Sequence, residues 1–286
     1  MIRERAPAKV NLVLQVGDVR ADGLHELCSL FASLELADEL TVETRGDGGA
    51  PGRGATGDEV VCAGVAGPNL ATRALAELRA ALDGHLPPLR VTIDKRIPVA
   101  AGLGGGSADA AAVLRAANQI AGAPLDPDAL RAIGARIGAD VPSQVEPRHG
   151  LVTGAGEHVE PLDLPPMALV LVPQHEGLST ADVYRAADQI GSTRAHLDPG
   201  ALRALAAQPL DDLASALQND LEPAALHLRP ELAEQLAALR SSGALAARVT
   251  GSGPTTFGVF PDLASAGQAA AALSSKALVT ALRPKP

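Results

Sequence analysis

The stretch from Pro98 to Leu114, Pro-Val-Ala-Ala-Gly-Leu-Gly-Gly-Gly-Ser-Ala-Asp-Ala-Ala-Ala-Val-Leu, constrains this chain most, because it sets four glycines within five residues between two regular patterns. Ahead of it, Leu89, Val91 and Ile93 alternate with Arg90, Thr92 and Asp94, the period of a half-buried strand. Behind it, the spacing predicts a helix through Val113, Leu114, Ala117 and Ile120 that stops at Gly122, with Ser107 as its amino-terminal cap. A helix amino terminus offers unpaired N–H groups and a partial positive charge, and glycine lets an anion approach the backbone. The stretch therefore reads as a cradle for phosphate, the plain alternative being a flexible hinge. Without a Gly-Lys-Ser/Thr ending it is not a Walker loop. Ser107, standing where G-x-G-x-x-G needs its last glycine, argues against a dinucleotide fold.

A chain of 286 residues with 47% hydrophobic content is long enough for one large domain or two ordinary ones. A formal charge of −9 and the lack of any basic run argue against nucleic acid or an anionic membrane as partner. Met1 to Pro7 has no apolar core and no later run reaches membrane-spanning length, so a cytoplasmic protein is expected. Cys28 and Cys62 form neither a disulfide framework nor a zinc site and are expected to be small buried hydrophobes. Lysine is scarce beside arginine, occurring as Lys9, Lys95, Lys276 and Lys285. A lysine kept where arginine would serve as well for solubility hints at a need for a compact ammonium.

In chain order, residues 8–16 alternate as a strand with Lys9 and Asn11 on one face, able to hold an anion or a hydroxyl unless that face is simply solvated. Arg20 to Leu24 is a turn that delivers His25 to the start of an apolar segment. Residues 45–57, rich in Gly, Pro and Arg, read as a surface loop, and Pro68-Asn69 opens a helix that runs to Gly84. A helix over 128–137 ends at Gly138, and Asp140 sits in a tight loop before Pro142, where an aspartate is ordinarily a local cap. The Pro165-Pro166 pair marks a domain boundary near 160–166. Beyond it come a strand at 168–173, helices at 181–190, 201–207, 210–217 and 230–239, a glycine turn from Thr250 to Thr255 between two strands, and a last helix at 264–273 before a short strand.

Lys9 to Asn11, Pro98 to Ala108 and Thr250 to Thr255 together resemble the GHMP kinase superfamily. Ala6-Pro-Ala-Lys-Val-Asn-Leu, Arg20-Ala-Asp-Gly-Leu-His, Ile93-Asp-Lys-Arg-Ile-Pro, Gly138-Ala-Asp-Val-Pro and Asn219-Asp-Leu-Glu are similar to the branch that phosphorylates the 2-hydroxyl of a methylerythritol bearing cytidine diphosphate, in the non-mevalonate route to isoprenoid precursors. The resemblance implies an α+β, two-domain GHMP kinase-like fold, with an ATP-binding amino-terminal domain over 1–162 and a smaller α/β-sandwich carboxyl-terminal domain over 163–286. It implies ATP and Mg²⁺ as cofactors, a small-molecule substrate with a cytidine diphosphate group, and a monomer or weak homodimer. Residue by residue, it implies Lys9 and Asp140 as the catalytic pair. Pro98, Val99, Ala100, Ala101, Gly102, Leu103, Gly104, Gly105, Gly106, Ser107 and Ala108 would wrap the phosphates, with Asn69 and Lys95 beside the nucleotide. Asn11, His25, Thr180 and Tyr184 would contact the acceptor, Tyr184 by stacking on cytosine. Leu24 stands where the family usually has tyrosine, and Ser143-Gln144 where aromatics are common.

Overall fold

The computed structural model describes residues 1–45, 57–65, 69–174, 176–273 and 276–284. The loop expected over 45–57 lies, apart from its two end residues, outside them, as do Pro68 and Lys285. In chain order the elements are β1 (Ile2–Val19), β2 (His25–Thr44), β3 (Glu59–Cys62), α1 (Leu70–Ala81), β4 (Leu89–Asp94), α2 (Gly105–Ile120), α3 (Pro127–Ile137), α4 (Val141–Val145), β5 (Gly150–Gly154) and β6 (His158–Pro161). They continue with β7 (Ala168–Val172), α5 (Thr180–Ile190), α6 (Pro199–Ala206), α7 (Leu210–Ser215), β8 (Gln218–Asn219), α8 (Glu222–Leu228), α9 (Leu232–Ser241), β9 (Ala246–Val249), β10 (Thr256–Phe260), α10 (Leu263–Leu273) and β11 (Leu278–Ala281). Mixed helix and sheet in this order is the α+β architecture expected.

Packing groups the chain into two compact units, one of Met1–Ala8, Ala37–Val99 and Gly104–Pro147, the other of Lys9–Leu36, Ala100–Leu103 and Arg148–Pro286. In the first unit, β4 lies antiparallel to the Glu39–Thr44 part of β2 and parallel to β3. Leu89, Val91 and Ile93 point inward while their alternates are exposed, as the period-two pattern requires. They meet Leu75 and Leu78 of α1, the alanine-rich face of α2, and Ile133 and Ile137 of α3 in one apolar core. So many alanines let α1 and α2 approach closely.

In the second unit, the Leu27–Phe31 part of β2 pairs antiparallel with β5, and β5 with β6, while β1 pairs with the two-residue β8 in parallel at Val13 and Leu14. A separate antiparallel sheet runs β11-β7-β10-β9, and Val170, Val249 and Phe260 pack there with Leu236 of α9 and Ala266 of α10. Helix α5 buries Val183 and Ala187 against Leu14 and Val16 of β1.

Several expectations need correction. Ser107 is not the cap of α2; Gly104 is, with φ 71°, a left-handed conformation that glycine adopts without penalty, so the helix starts before the serine. Asp140 precedes not a loop but α4, which at five residues is too short to show a period in the sequence. β8 and α8 were missed for the same reason. Cys28 is fully buried, and burial pushes its thiol up to about 11, but Cys62 is only half-buried. Both cysteines are free. Among the described residues, no helix is long and apolar enough to cross a membrane.

Candidate active site

The Lys9–Asn11 face of β1 is not solvated: Lys9 is 5% and Asn11 3% exposed. An ammonium so deeply placed needs acceptors. The Lys9 Nζ donates to Asn11 Oδ1 at 2.8 Å and lies 4.6 Å from the Phe31 ring centroid. The Asn11 backbone N–H donates to Thr250 Oγ1 at 3.0 Å, which ties the glycine turn between β9 and β10 to this strand. Asn219 of β8 donates from Nδ2 to the carbonyls of Val249 and Gly251, both at 2.8 Å, and holds the same turn from its other side. Thr250-Gly-Ser-Gly-Pro-Thr255 is thus fixed beside Lys9, a contact that spacing along the chain does not reveal.

Residues 100–103 of the glycine-rich loop belong to this unit. The Lys9 backbone N–H donates to Leu103 O at 3.0 Å. Gly102 has φ +75°, and a Cβ there would stand 2.5 Å from the Gly253 carbonyl oxygen. A side chain is therefore barred twice, by conformation and by the approach of another backbone. Gly102→Ala should destabilise the fold by about 1 kcal/mol or more, read by denaturant unfolding, because the loop must shift to admit the methyl. Unchanged stability would show that this close approach does not constrain the loop.

His25 and Tyr184 come together, ring centroids 5.0 Å apart and planes tilted by 35°. The Gly17 carbonyl, 2.9 Å from Nδ1, can only accept, so that nitrogen carries a proton, and Nε2 faces Asp188 at 3.4 Å. Thr180 Oγ1 meets Ser252 Oγ at 3.0 Å, joining the start of α5 to the same glycine turn. Leu24, at the tip of the preceding turn, is 53% exposed.

In the other unit, Gly104 to Ala108 form the amino-terminal end of α2. Asn69 caps α1, its side chain accepting from the Ala71 N–H at 2.9 Å. Asp140 makes no side-chain cap to α4, contrary to its ordinary reading, and Ser143 Oγ donates to its backbone carbonyl at 2.8 Å. Lys95 does not point to solvent. Its ammonium contacts the Asp38 carboxylate, donates to Asp109 Oδ2 at 2.8 Å, and lies 3.2 Å from where a Cβ of Gly105 would be. Asp38 Oδ1 in turn accepts the N–H groups of Arg96 and Ile97 at 2.6 and 2.8 Å. One cation and two carboxylates therefore brace the segment before the loop against the first turns of α2.

Sequence reasoning passed over Asp38 and Asp109. The available signal was an aspartate inside otherwise apolar patterns, since Asp38 is fully buried and Asp109 is 2% exposed. Burial pushes Asp109 up to about 7, and Asp38 adds to the rise against the pull of Lys95. Burial works against the Lys95 charge too, but Asp109 and Asp38 outweigh it and raise that pKa. Because the folded-state value of Asp109 exceeds its ordinary 3.8, the folded chain keeps a proton that the unfolded chain has released. This contribution to stability is complete below that value and is lost as pH rises through about 7. Asp109→Asn removes the titration while Lys95 keeps Asp38. The variant should gain stability relative to the natural chain between pH 5 and pH 8 in denaturant titrations, and a pH-independent difference would refute the assignment.

Two family models match: GHMP kinases N terminal domain over residues 69–146 and GHMP kinases C terminal over 201–279. A 4-diphosphocytidyl-2-C-methyl-D-erythritol kinase of Rhizobium johnstonii is 41% identical over 276 residues, 95% of this chain and 88% of that protein. One from Streptomyces coelicolor is also 41% identical, over 94% of this chain and 91% of its own length.

The chain belongs to the 4-diphosphocytidyl-2-C-methyl-D-erythritol kinase family, within the GHMP kinases.

A crystal structure of a 4-(cytidine 5'-diphospho)-2C-methyl-D-erythritol kinase matches with a TM-score of 0.81 and 35% identity, over 99% of this chain and all of that one. A homoserine kinase from Cytophaga hutchinsonii matches with a TM-score of 0.71 at 19% identity, over 99% of this chain and 94% of the other, a likeness of fold alone. The two-domain GHMP kinase-like fold that the glycine motifs implied is thus the fold of this family member.

Proposed function

We propose that this chain transfers the γ-phosphoryl group of ATP to the 2-hydroxyl of 4-diphosphocytidyl-2-C-methyl-D-erythritol in isoprenoid precursor synthesis. Family membership at 41% identity along nearly the whole chain carries this reading. The buried Lys9–Asn11 pair anchored to the Thr250 turn supports it chemically.

Phosphoryl transfer asks the protein for alignment and for neutralised charge more than for covalent chemistry. The glycines from Gly102 to Gly106 leave backbone N–H groups accessible, and the amino terminus of α2 adds its dipole for the ATP phosphates. Mg²⁺ bound with ATP would offset phosphate charge, and the Ser107 hydroxyl in the first turn of α2 is the group we assign to hold it. Lys9 supplies a fixed positive charge for the charge developing on the acceptor oxygen, and Asp140 takes the hydroxyl proton. Asn69 and Lys95 border the nucleotide in this reading. Asn11, His25, Thr180 and Tyr184 hold the acceptor, with the tilted His25–Tyr184 pair offering a ring face to cytosine. With Leu24 in place of a tyrosine, the opposite face of the base meets aliphatic surface.

The domain boundary at residue 162, cytoplasmic residence and a monomer or weak homodimer remain parts of this proposal. Phosphorus NMR of a reaction with ATP and the cytidine diphosphate acceptor tests the chemistry. The reading requires ADP and a new phosphomonoester signal on the acceptor to grow together; ADP formed with inorganic phosphate alone would overturn it.

A further inference from the structure

The hydrogen bonds behind Lys9 run in one direction only, and a residue so far without a role sets that direction. Ser29, on β2 and fully buried, has its Oγ 2.6 Å from the Val13 carbonyl and 2.8 Å from Asn11 Nδ2. A carbonyl only accepts, so the one hydroxyl hydrogen of Ser29 goes to Val13. Towards Asn11, the Ser29 oxygen is then left only as an acceptor, and the amide edge facing it must be NH2. The opposite edge, Oδ1, is thereby turned to the Lys9 ammonium, which has hydrogens to give and no lone pair to receive with. Every donor in this line meets an acceptor, at depths where an unmatched polar group is costly.

An asparagine amide is nearly symmetric in shape, and its two orientations differ only in which edge carries hydrogen. If the amide were reversed, its NH2 would face the ammonium and the Lys9 charge would lose its near acceptor. Steric fit does not prevent that reversal, but the Ser29 hydroxyl does. We propose that Ser29 is a positioning residue for phosphoryl transfer: anchored on the Val13 carbonyl, its hydroxyl fixes the polarity of the Asn11 amide and so holds the Lys9 ammonium in place. The kinetic part of this proposal rests on the kinase reading given above, and the structural part does not.

Ser29→Thr and Ser29→Val have side chains of the same shape and differ by one hydroxyl, so their comparison separates the hydrogen bond from packing. Ser29→Ala, which only removes atoms, is a second hydroxyl-free variant should valine not fold. In the full-length chain, the threonine variant should keep kcat within about twofold of the natural protein. The valine and alanine variants should lose about tenfold in kcat, with the KM for ATP little changed, because a bond in line with a charged group is removed without touching the nucleotide. In ¹⁵N-labelled protein without ligands, the Asn11 side-chain amide protons should exchange slowly in the natural and threonine forms and quickly in the other two.

Equal kcat per folded molecule in the threonine and hydroxyl-free variants, or equal exchange at the Asn11 amide, would overturn the proposal. If the natural chain transferred phosphate to no acceptor, the kinase reading would fail by itself. The exchange measurement would still decide whether Ser29 orients Asn11.

Discussion

Asp140→Asn should lower turnover about a hundredfold or more while changing affinity for an ATP analogue by no more than about threefold. The substitution keeps the size of the side chain and removes its charge and its capacity to take a proton. The backbone around it is set by other groups: the Val141 N–H donates to Gly138 O at 3.1 Å, Ser143 Oγ donates to the Asp140 carbonyl, and Pro142 falls in the first turn of α4. The carboxylate does not cap α4, so the start of that helix should persist without its charge. Steady-state turnover and thermal unfolding, measured on one preparation, check both halves of this claim. Near-normal turnover would remove Asp140 from the role of base, whereas a collapse in stability would show a structural role.

The second large effect concerns stability. Lys95→Met should cost about 3–5 kcal/mol, the scale for leaving a buried charge without its partner. An exposed pair would give about 1 kcal/mol or less. The difference lies in exposure: the side chains of Lys95, Asp38 and Asp109 are 13%, 0% and 3% exposed. Methionine fills a similar volume but leaves the Asp38 carboxylate, which also holds the Arg96 and Ile97 N–H groups, without its cation and out of water beside the Asp109 carboxyl. Adding Asp38→Asn and Asp109→Asn to Lys95→Met should recover much of the loss, since no buried charge then lacks a partner. Denaturant unfolding of the single and triple variants checks this. A cost below about 1 kcal/mol for the single variant would mean that the three groups do not depend on one another.

How far the sequence could be read follows from the range of each signal. The strand at 89–94, the glycine-rich loop and α2 were legible because they are local: a period of two, a run of glycines, then a helical pattern. The Lys9–Asn11 face was legible as a face, but not as buried, because its cover comes from Phe31, Ser29 and the Thr250 turn, far away in sequence. Asp140 stood out by its Gly-Ala-Asp-Val-Pro setting, yet α4 is too short to show a period. Ser107 was placed at the cap because serine favours that position, and the left-handed backbone of Gly104 took it instead. Asp38 and Asp109 could have been suspected only from a charge within an apolar pattern, and their joint grip on Lys95 depends on three separate elements.

Acceptor identity is tested by coupled measurement of ADP release from ATP with 4-diphosphocytidyl-2-C-methyl-D-erythritol, homoserine, mevalonate and galactose, each titrated to give kcat/KM. A site that grips both the cytidine ring and the reacting hydroxyl should favour the first acceptor by at least about a hundredfold. An equal or higher kcat/KM for any of the other three, or no acceptor-dependent release at all, would contradict the account.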